Sequence, residues 1–479
     1  MGKELRRQVP RSSLGDWSAP AARPDPVRLI MASHVGRLDW LIPVRVGRMA
    51  ASPYGFMRGA AIVMAEDVAR LPSTGITPVI CGDSHMGNFG FYASPEQDLV
   101  IDLNDFDEAH PGGWEWDLRR LVASIWVAGR QNGASERECE SAVLRCVAGY
   151  REEVRDLAST ALLTRSYQRL DVDHLHQSTK DKSLRAEIKR AAGRARRRTS
   201  DRALPKFTSE RDGKRRIVED APLITRVSYA EADEVARGLD DYLGTLAPHW
   251  RRALGGYTLI DVAHKVVGVG SVGLRAYVAL LEGSSPDDVV FLQLKQARRS
   301  VLARYVHGES AWHAHQGQRV VEYQQALQTV SDPLLGWTTV DGLQYYVRQF
   351  RNMKGTIPLD AIDAAALTDY AGPEIEAMRL SGDVRIDVIG IGKPIQIKAD
   401  RVVLELTADD AVQRKGSLPL TGSRQLHSTR VIEDGDATQT FVGNVVFTLQ
   451  TASGALQIRA DRVEHTERLG VRMEPRAGV

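Results

Sequence analysis

The chain has 479 residues, 43% hydrophobic and 26% charged, with a formal net charge of +2 at pH 7, which predicts a globular protein of about three domains at ~150 residues each. This charge balance excludes nucleic-acid binding that depends on the overall charge of the protein. Three cysteines without metal-ligand spacing, and no apolar run near the ~18 residues of a membrane span, predict a cytoplasmic protein with neither a disulfide framework nor a membrane span.

Prolines interrupt any helix in residues 1–26, which are predicted to form a flexible or surface-wrapped leader. Arg45, Arg48 and Arg58 follow in a segment with several glycines and prolines, just before a predicted helix over residues 59–71. Arginines that converge can bind phosphate with two hydrogen bonds each, although a surface salt bridge is the commoner role of a single arginine. We take Arg58 as the candidate for a binding site.

Residues 79–118 place polar and acidic side chains between two short apolar runs. The runs at 79–81 and 99–103 predict short buried strands. The polar residues that follow them are Asp83, His85, Asn88, Asp102, Asp105 and Asp107. Crowded carboxylates repel one another unless protons or a cation compensate them, and a divalent metal ion is the simplest compensation. A hydrogen-bonded turn capped by Asp and Asn is the alternative.

The motif G-D-S-H-M-G-N, followed after a strand by D-F-D, resembles the active-site segment of aminoglycoside and choline phosphotransferases, which belong to the protein-kinase-like superfamily. The resemblance implies that Asp83 accepts the proton of the attacking hydroxyl, that Asn88 binds a second metal ion, and that Asp105 links metal to phosphates. Asp102 is a rival for the metal because it also stands at a strand end. The choice among Asp102, Asp105 and Asp107 stays open.

Helical periodicity after this segment predicts a helix that begins near Asp117, whose carboxylate would favour the helix N-terminus and hold the acidic segment. A second helix is predicted over residues 136–161. Residues 180–216 contain fifteen Lys or Arg against five Asp or Glu. They are interpreted as a solvated connector, with an electrostatic guide for an anionic substrate as the alternative. Few aromatic residues accompany them, so nucleic acid is not an expected partner.

Residues 259–297 contain Gly268, Gly270 and Gly273 in the pattern G-x-G-x-x-G, which is a weak signal alone. A β-prone run, a turn and a strand ending in Lys295 follow, where a dinucleotide-binding fold would have a helix. Strand, glycine loop, strand, turn and strand ending in Lys is the kinase arrangement, in which the glycines approach the phosphates and Lys295 would reach them. A plain hairpin with a solvated lysine is the alternative.

A helix is predicted over residues 318–329, where Glu322 is the best-placed carboxylate to pair with Lys295; Glu309 is the fallback. Residues 345–350 are predicted to be the last strand of this part of the chain, and residues 351–355 a hinge at which adenine could dock.

The order of these parts is the reverse of the kinase order, since the glycine loop follows Asp83 by about 180 residues, and a circular permutation would preserve the fold if the chain ends lie close together.

Longer motifs resemble domain-of-unknown-function family 2252 (DUF2252), a bacterial family usually grouped with kinase-like folds. They are P-V-R-V-G-R-M at 43–49, F-M-R-G at 56–59, the G-D-S-H-M-G-N-F-G segment, W-E-W-D-L-R-R-L at 114–121 and V-V-G-V-G-S-V-G at 266–273. This resemblance covers residues 25–370. The family name assigns no reaction, so function has to be argued from the site.

After about residue 370 the family pattern is lost, and strands are predicted at 393–406, 438–450 and 454–467. A-D-R-V occurs at both 399–402 and 460–463. This part resembles, over about 80 residues, the β-jellyroll repeat of the lipopolysaccharide-transport, organic-solvent-tolerance type, a likeness that does not by itself imply function. Those proteins work in the periplasm, so we expect an appended β-rich module that could bind a protein partner.

Together these features predict an α+β protein with a two-lobed, kinase-like and circularly permuted fold. Its predicted segments are a flexible leader (1–26), an α-rich catalytic-type lobe (27–178), a basic connector (179–222), a glycine-loop lobe (223–357), a helical connector (358–383) and a β-rich module (384–479). The predicted function is an ATP- and Mg²⁺-dependent phosphotransferase acting on an unidentified hydroxyl-bearing small molecule or protein. A nucleotide-binding pseudokinase that serves as a regulatory scaffold, and a nucleotidyltransferase with the same site, are the alternatives.

Overall fold

The computed structural model describes residues 2–371, apart from residues 212, 267, 269, 307–312 and 365, together with strand segments between residues 402 and 474. The chain divides into two compact units. One comprises Arg6–Arg385, and the other comprises Met1–Leu5 with Ile386–Val479. The larger unit combines helices and strands, in agreement with the predicted α+β class.

The helices in chain order are α1 (Gly2–Gln8), α2 (Pro26–Ala32), α3 (Ile42–Ala50), α4 (Pro53–Gly59), α5 (Ala61–Val68), α6 (Trp114–Gln131), α7 (Glu136–Ser159), α8 (Leu162–Ser166), α9 (Val172–Ser178), α10 (Lys182–Ala195), α11 (Ser200–Phe207), α12 (Tyr229–Leu243), α13 (Pro248–Leu254), α14 (Ala303–Val306) and α15 (Gln316–Leu327). Several begin after a side chain that accepts a hydrogen bond from the first turn, as Ser135 does before α7 and Ser228 before α12. Such caps satisfy backbone N–H groups that have no partner within the helix.

The strands of the larger unit are β1 (Val79–Ile80), β2 (Phe89–Ala93), β3 (Leu99–Leu103), β4 (His110–Pro111), β5 (Thr208–Arg211), β6 (Lys214–Ile217), β7 (Ile224–Arg226), β8 (Thr258–Lys265), β9 (Ala276–Glu282), β10 (Val289–Gln296), β11 (Gly336–Val340) and β12 (Leu343–Gln349). Those of the smaller unit are β13 (Val402–Leu404), β14 (Ser417–Leu420), β15 (Arg424–His427), β16 (Arg430–Asp434), β17 (Thr438–Thr451), β18 (Gly454–Thr466) and β19 (Gly470–Glu474).

The main sheet of the larger unit is antiparallel, in the order β11-β12-β10-β9-β8-β7. The predicted succession of strand, glycine turn, strand, turn and strand is therefore confirmed as β8, β9 and β10. Lys295 lies in β10 between Ala276 on β9 and Tyr346 on β12. Helix α15 packs on β11 and β12. Neighbours on both sides thus fix the backbone that carries Lys295.

Two short antiparallel strand pairs carry the acidic segment: β1 pairs with β4, and β2 pairs with β3 as a hairpin between them in the chain. The strands predicted at 79–81 and 99–103 are confirmed as β1 and β3. Both strands of the β2–β3 hairpin are buried throughout, so their apolar side chains enter the core with residues of α6 and α7. Cys139 and Cys146 lie in this core, where they pack as small apolar side chains.

Residues 351–355, predicted to be an adenine-binding hinge, are hydrogen-bonded to β2. The backbone N–H of Phe91 donates to Gly355 O at 2.7 Å, the Gly355 N–H donates back to Phe91 O at 3.0 Å, and the Ala93 N–H donates to Asn352 O at 3.0 Å. The Met353 N–H donates to Arg198 O at 2.9 Å. These backbone groups are already paired within the protein, so adenine recognition by them is not supported.

The basic connector is part of the larger unit's packing. Ala203, Leu204 and Ile217 are buried against Phe291 and other residues of the sheet. The arginines of α10 include two that pair with Glu187. The apolar residues of this segment thus pack on the sheet, whereas most of its Lys and Arg side chains are exposed, in keeping with a solvated helix and connector.

The leader is attached to the larger unit by side-chain contacts. Arg23 forms two hydrogen bonds of 2.7 Å to Asp67, and Arg119 donates to Leu14 O at 3.1 Å. Two positions of the leader thus contact α5 and α6. No helix in the described part of the chain is both long and apolar enough to cross a membrane.

The smaller unit contains a sheet in the order β13-β19-β18-β17-β15-β14, with β16 also paired to β17. The strands predicted at 438–450 and 454–467 are confirmed as β17 and β18, which form a long antiparallel hairpin. Of the strand predicted at 393–406, the described part is β13. Glu309 and half of the predicted helical connector lie outside the described residues.

Candidate functional site

The acidic segment is held in place by the carboxylate of Asp117, in the first turns of α6. Its Oδ2 accepts the Cys81 N–H at 2.7 Å, and its Oδ1 accepts the Gly82 N–H at 2.9 Å. Gly82 has φ +76°, and a Cβ there would lie 2.3 Å from the Glu108 carbonyl oxygen. Only glycine fits this turn without displacing backbone. The predicted structural role of Asp117 is thus confirmed.

Asp83 follows this turn and is paired with Arg120 of α6, whose Nε donates to Asp83 Oδ1 at 2.8 Å. Arg120 is itself buried and also donates to the Met57 carbonyl oxygen at 2.7 Å. Burial raises the pKa of Asp83 to about 6, although the charge of Arg120 acts in the opposite direction. A carboxylate with a pKa near neutrality is suited to accept a proton from a hydroxyl group.

Asn88 lies five residues beyond Asp83 and is bonded back to it. The Asn88 Nδ2 donates to the Asp83 carbonyl oxygen at 2.7 Å, and the Asn88 carbonyl oxygen accepts the Asn104 N–H at 2.8 Å. Because the amide nitrogen is used within the loop, Oδ1 is the side-chain atom available to a cation or ligand.

Lys295 joins the glycine-turn sheet to the acidic segment. Its Nζ lies 3.0 Å from Asp105 Oδ1 and 2.6 Å from Asp107 Oδ2, and only 3% of its side chain is exposed. Burial lowers the pKa of Lys295, but the two carboxylates raise it further, so the net shift is upward. For Asp105 burial acts upward and the charge of Lys295 downward, and the pKa is lowered overall. Lys295 and Asp105 are therefore both charged at neutral pH.

The predicted ion pair between Lys295 and Glu322 is wrong. Glu322 accepts a hydrogen bond from Gln318 at 2.7 Å and lies 2.6 Å from His313 Nε2, with 44% of its side chain exposed. The carboxylates that pair with Lys295 come from the acidic segment instead. The prediction chose a carboxylate in the next helix along the chain. The observed partners, Asp105 and Asp107, lie in a much more distant part of the sequence.

Arg319 is the α15 residue that reaches the site, three positions before Glu322. Its Nη2 donates to the carbonyl oxygens of Asp107 at 2.8 Å and Arg298 at 2.9 Å, and its Nη1 donates to that of Ala109. The residue is 1% exposed. Sequence reasoning missed Arg319, because a single arginine in an amphipathic helix has no pattern that marks it as buried. It fixes the backbone on both sides of the site.

Asp102 lies in β3, opposite Gly90 of β2, and its Oδ1 accepts the neighbouring Leu103 N–H at 2.7 Å. Asp105 and Asp107 line the cavity described below, and among the described residues Asp102 does not. The structure thus favours Asp105 and Asp107 over Asp102 as ligands of a cation.

The glycine turn between β8 and β9 faces the acidic segment. Gly268, Gly270 and Ser271 line the same cavity as Asp107, and Ser271 Oγ donates to Asp107 Oδ2 at 3.0 Å. Arg48 of α3 donates to the Gly268 carbonyl oxygen at 2.6 Å. Two parts of the chain that are far apart in sequence therefore form opposite walls of one cavity.

Gly273, the third glycine of the motif, has a different environment. Its carbonyl oxygen accepts the Leu38 N–H at 2.8 Å, and with φ +90° it packs against the side chain of Arg37. Among the described residues it does not line the cavity. The structure thus separates the predicted glycines, with Gly268 and Gly270 at the cavity and Gly273 in a packing contact.

The cavity has a volume of about 530 Å³ and an unusually charged lining. Its acidic residues are Asp83, Asp105, Asp107 and Glu108. Its arginines are Arg37, Arg45, Arg58, Arg298, Arg299 and Arg304. Arg58, predicted from sequence as a binding residue, is thus at the cavity. Glu108 accepts the Val301 N–H at 2.7 Å, and burial raises its pKa to about 7.

A bound metal ion needs protein ligands that converge on one point. Within the described residues no group of three or more His, Cys, Asp and Glu side chains is placed to hold one. Mg²⁺ requires less, since it keeps several waters and binds phosphates with only one or two carboxylates. Asp105, Asp107 and Asn88 line the cavity, and the buried Asp107 Oδ1 has no hydrogen-bond partner among the described residues. This donor set fits Mg²⁺ in the presence of phosphates.

The larger unit thus combines helices and strands, and its acidic segment and glycine turn face one charged cavity. The chain matches the family described as "Uncharacterized protein conserved in bacteria (DUF2252)" over residues 37–373, which is more than half of its length. It therefore belongs to this family. Neither a search of curated proteins nor a search of solved structures found a match.

Proposed function

We propose that this protein is an ATP- and Mg²⁺-dependent phosphotransferase of the kinase-like superfamily, with a circularly permuted fold, that acts on a hydroxyl group of an acceptor. The observation that carries the proposal is that Gly268 and Gly270 face Asp83 and Asp105 across one cavity, with Lys295 in contact with Asp105. Phosphoryl transfer needs this combination because its catalysis consists mainly of positioning and charge stabilisation.

Each wall of the cavity has a separate task in this proposal. The backbone of Gly268 and Gly270 would approach the phosphates closely, and Lys295 would neutralise part of their charge. Asp83, with its pKa near 6, would accept the proton of the acceptor hydroxyl. Asp105, Asp107 and the Asn88 Oδ1 would hold Mg²⁺, which when bound stabilises the charge on the transferred phosphoryl group.

Lys295 has to divide its interactions between the carboxylates and the phosphates. In the described structure its Nζ contacts both Asp105 and Asp107, the residues that would hold the cation. A cation at these carboxylates would replace the positive charge of Lys295 there and leave Lys295 available to phosphate. The binding of metal is therefore expected to raise the affinity for nucleotide, and the binding of nucleotide to raise the affinity for metal.

The same ion pairs favour a second candidate function, a nucleotide-binding scaffold that transfers no phosphate. Lys295 is engaged by Asp105 and Asp107, and Glu322 is bonded elsewhere, so the lysine–helix pair of active kinases is not formed. The two candidates differ in turnover but agree in nucleotide binding. With either candidate function, the β-rich smaller unit would serve as an interaction module, in line with its resemblance to the lipopolysaccharide-transport jellyroll repeat.

The experiment that tests the proposal is mass spectrometry of products formed from ATP, Mg²⁺ and a bacterial metabolite extract, with the wild-type protein and Asp105→Asn. We expect ADP and a phosphorylated metabolite from the wild type and neither from the variant. Asp98→Asn is the matched control, because Asp98 is an exposed carboxylate paired with Arg169 outside the cavity lining. Binding of ATP without product would favour the scaffold, and transfer of AMP would favour nucleotidyl transfer.

A further inference from the structure

Arg45 is a buried cation whose hydrogen bonds are incomplete. It lies in α3, lines the cavity, and is only 2% exposed. Its Nη2 donates to the Gly59 carbonyl oxygen at 3.0 Å, but its Nε and Nη1 have no hydrogen-bond partner within the described part of the chain. A buried charged group without partners is costly, so its retention calls for a ligand that completes its bonds.

Neighbouring arginines increase this cost. Arg37 and Arg298 lie within electrostatic range of Arg45, and burial together with Arg298 lowers the pKa of Arg45 to about 10. Arg58 lines the same cavity, and its buried Nε also has no partner in the described residues. Like charges held together in this way repel unless an anion lies between them. Guanidinium groups bind phosphate oxygens with paired hydrogen bonds, which suits this cluster.

The acidic residues of the cavity neutralise these arginines only in part, because six arginines line the cavity against four carboxylates. Asp107 and Glu108 act electrostatically on Arg37, and Asp83 acts on Arg58. Three of the four carboxylates also have cationic partners beyond these arginines. Asp83 is paired with Arg120, and Asp105 and Asp107 are paired with Lys295. The arginine side of the cavity therefore keeps an excess of positive charge. It would repel a cationic acceptor and attract an anionic one.

We propose that Arg45, Arg58 and Arg298 form an anion subsite for a phosphate-type group of the acceptor, and that the acceptor class is a small molecule carrying both a hydroxyl and a phosphate. This inference rests on the proposed phosphotransferase function. Arg58 lies within electrostatic range of Asp83 and His85, on the side of the cavity where the acceptor hydroxyl would meet its base. In the proposed function, the glycine turn and Lys295 would bind the phosphates of the nucleotide instead.

The test uses isothermal titration calorimetry of inorganic phosphate into the full-length protein, with and without saturating Mg²⁺ and a non-hydrolysable ATP analogue. Arg45→Gln and Arg58→Gln should weaken phosphate binding by about tenfold or more, since each removes a charged hydrogen-bond donor. Arg169→Gln loses the same charge at an exposed salt bridge and should leave binding unchanged. Without ligand, Arg45→Gln should unfold at the same or a higher temperature than the wild type. If the role of Arg45 were purely structural, the variant would unfold at a lower temperature.

Phosphate that binds equally well in the presence of the nucleotide analogue supports the acceptor assignment. Competition between the two would overturn it, because the arginines would then serve the nucleotide. Absence of phosphate binding to the wild type, or unchanged binding in both arginine variants, would overturn the subsite itself. If phosphate binding depends on Arg45 but the analogue does not bind, the anion subsite stands and the proposed phosphotransferase function fails.

Discussion

Asp83 is subject to two opposed influences on its proton affinity. Its burial raises its pKa, and the guanidinium of Arg120 at 2.8 Å lowers it, with a result of about 6. Burial is the larger effect. The carboxylate is thus mostly ionised at neutral pH but still basic enough to take a proton from a hydroxyl group as transfer proceeds.

The ionisation of Asp83 predicts how turnover depends on pH. If ionised Asp83 is the base, the rate at saturating substrates should rise as the pH increases through about 6 and level off above it, because protonation removes the base. Arg120→Gln should move this rise to higher pH, since loss of the positive charge raises the pKa of Asp83 further. Steady-state kinetics between about pH 5 and 8 measure both profiles. A rate that does not change through this range would remove Asp83 from the role of base.

At the residue scale the sequence was informative where residues are close together along the chain. The spacing of Asp83, Asn88 and Asp105 predicted that they belong to one site, and all three line one cavity. The partner of Lys295 was mispredicted, and Arg319 was missed. Both depend on contacts between segments about 190 and 210 residues apart, and such contacts leave no local pattern in one sequence.

At the scale of elements, the glycine turn is held by the segment around α3. Arg48 bonds to the Gly268 carbonyl oxygen, and Arg37 Nη1 donates to the Val272 carbonyl oxygen at 2.5 Å. The strands on either side of this turn were predictable, because β-prone runs bounded by turn residues are local signals. The role of the segment that supports the turn was not predictable, because the sequence of its arginines is equally compatible with surface positions.

The element-scale prediction concerns Gly270, where a Cβ would have ordinary contact with the Arg58 carbonyl oxygen at 3.7 Å. Gly270→Ala should leave the midpoint of thermal unfolding unchanged or slightly higher, because alanine restricts the unfolded chain. It should weaken binding of the Mg²⁺–ATP complex by about tenfold, since the methyl group would stand between the backbone and the phosphates. Calorimetric titration measures this affinity.

Gly256→Ala is the matched control for this experiment. Gly256 has a similar contact at 3.7 Å, to Ala253, and lies between α13 and β8 outside the cavity lining. Its substitution should change neither affinity nor folding. Equal nucleotide affinities of the two variants would contradict a phosphate-binding role for the glycine turn.

At the scale of the whole molecule, the candidate site belongs to one of the two compact units. Every cavity-lining residue falls within Arg6–Arg385, and the family match covers 37–373. The β-rich character of the remainder was predictable from its alternating residues. The cavity was not predictable in detail, because its two walls come from parts of the chain that meet only in the folded state.

The whole-molecule prediction is that a chain limited to residues 6–385 retains the ligand response of the full chain. Mg²⁺ and ATP should raise the midpoint of thermal unfolding by a similar amount in both, because a ligand that binds only the folded state stabilises it according to its affinity. Differential scanning calorimetry measures the two shifts. A shortened chain that unfolds cooperatively but no longer responds to the ligand would assign part of the site to residues 1–5 or 386–479.

The incompletely bonded charge of Arg45 has a consequence for how long each molecule survives in vivo. Protein-degrading enzymes act on the unfolded fraction, and a change of 1–2 kcal/mol in folding free energy is enough to alter abundance several-fold. A ligand that completes the bonds of Arg45 would lower this fraction, whereas an empty cavity would raise it. The amount of this protein would then follow the supply of its own anionic ligand, without any change in the rate of its synthesis.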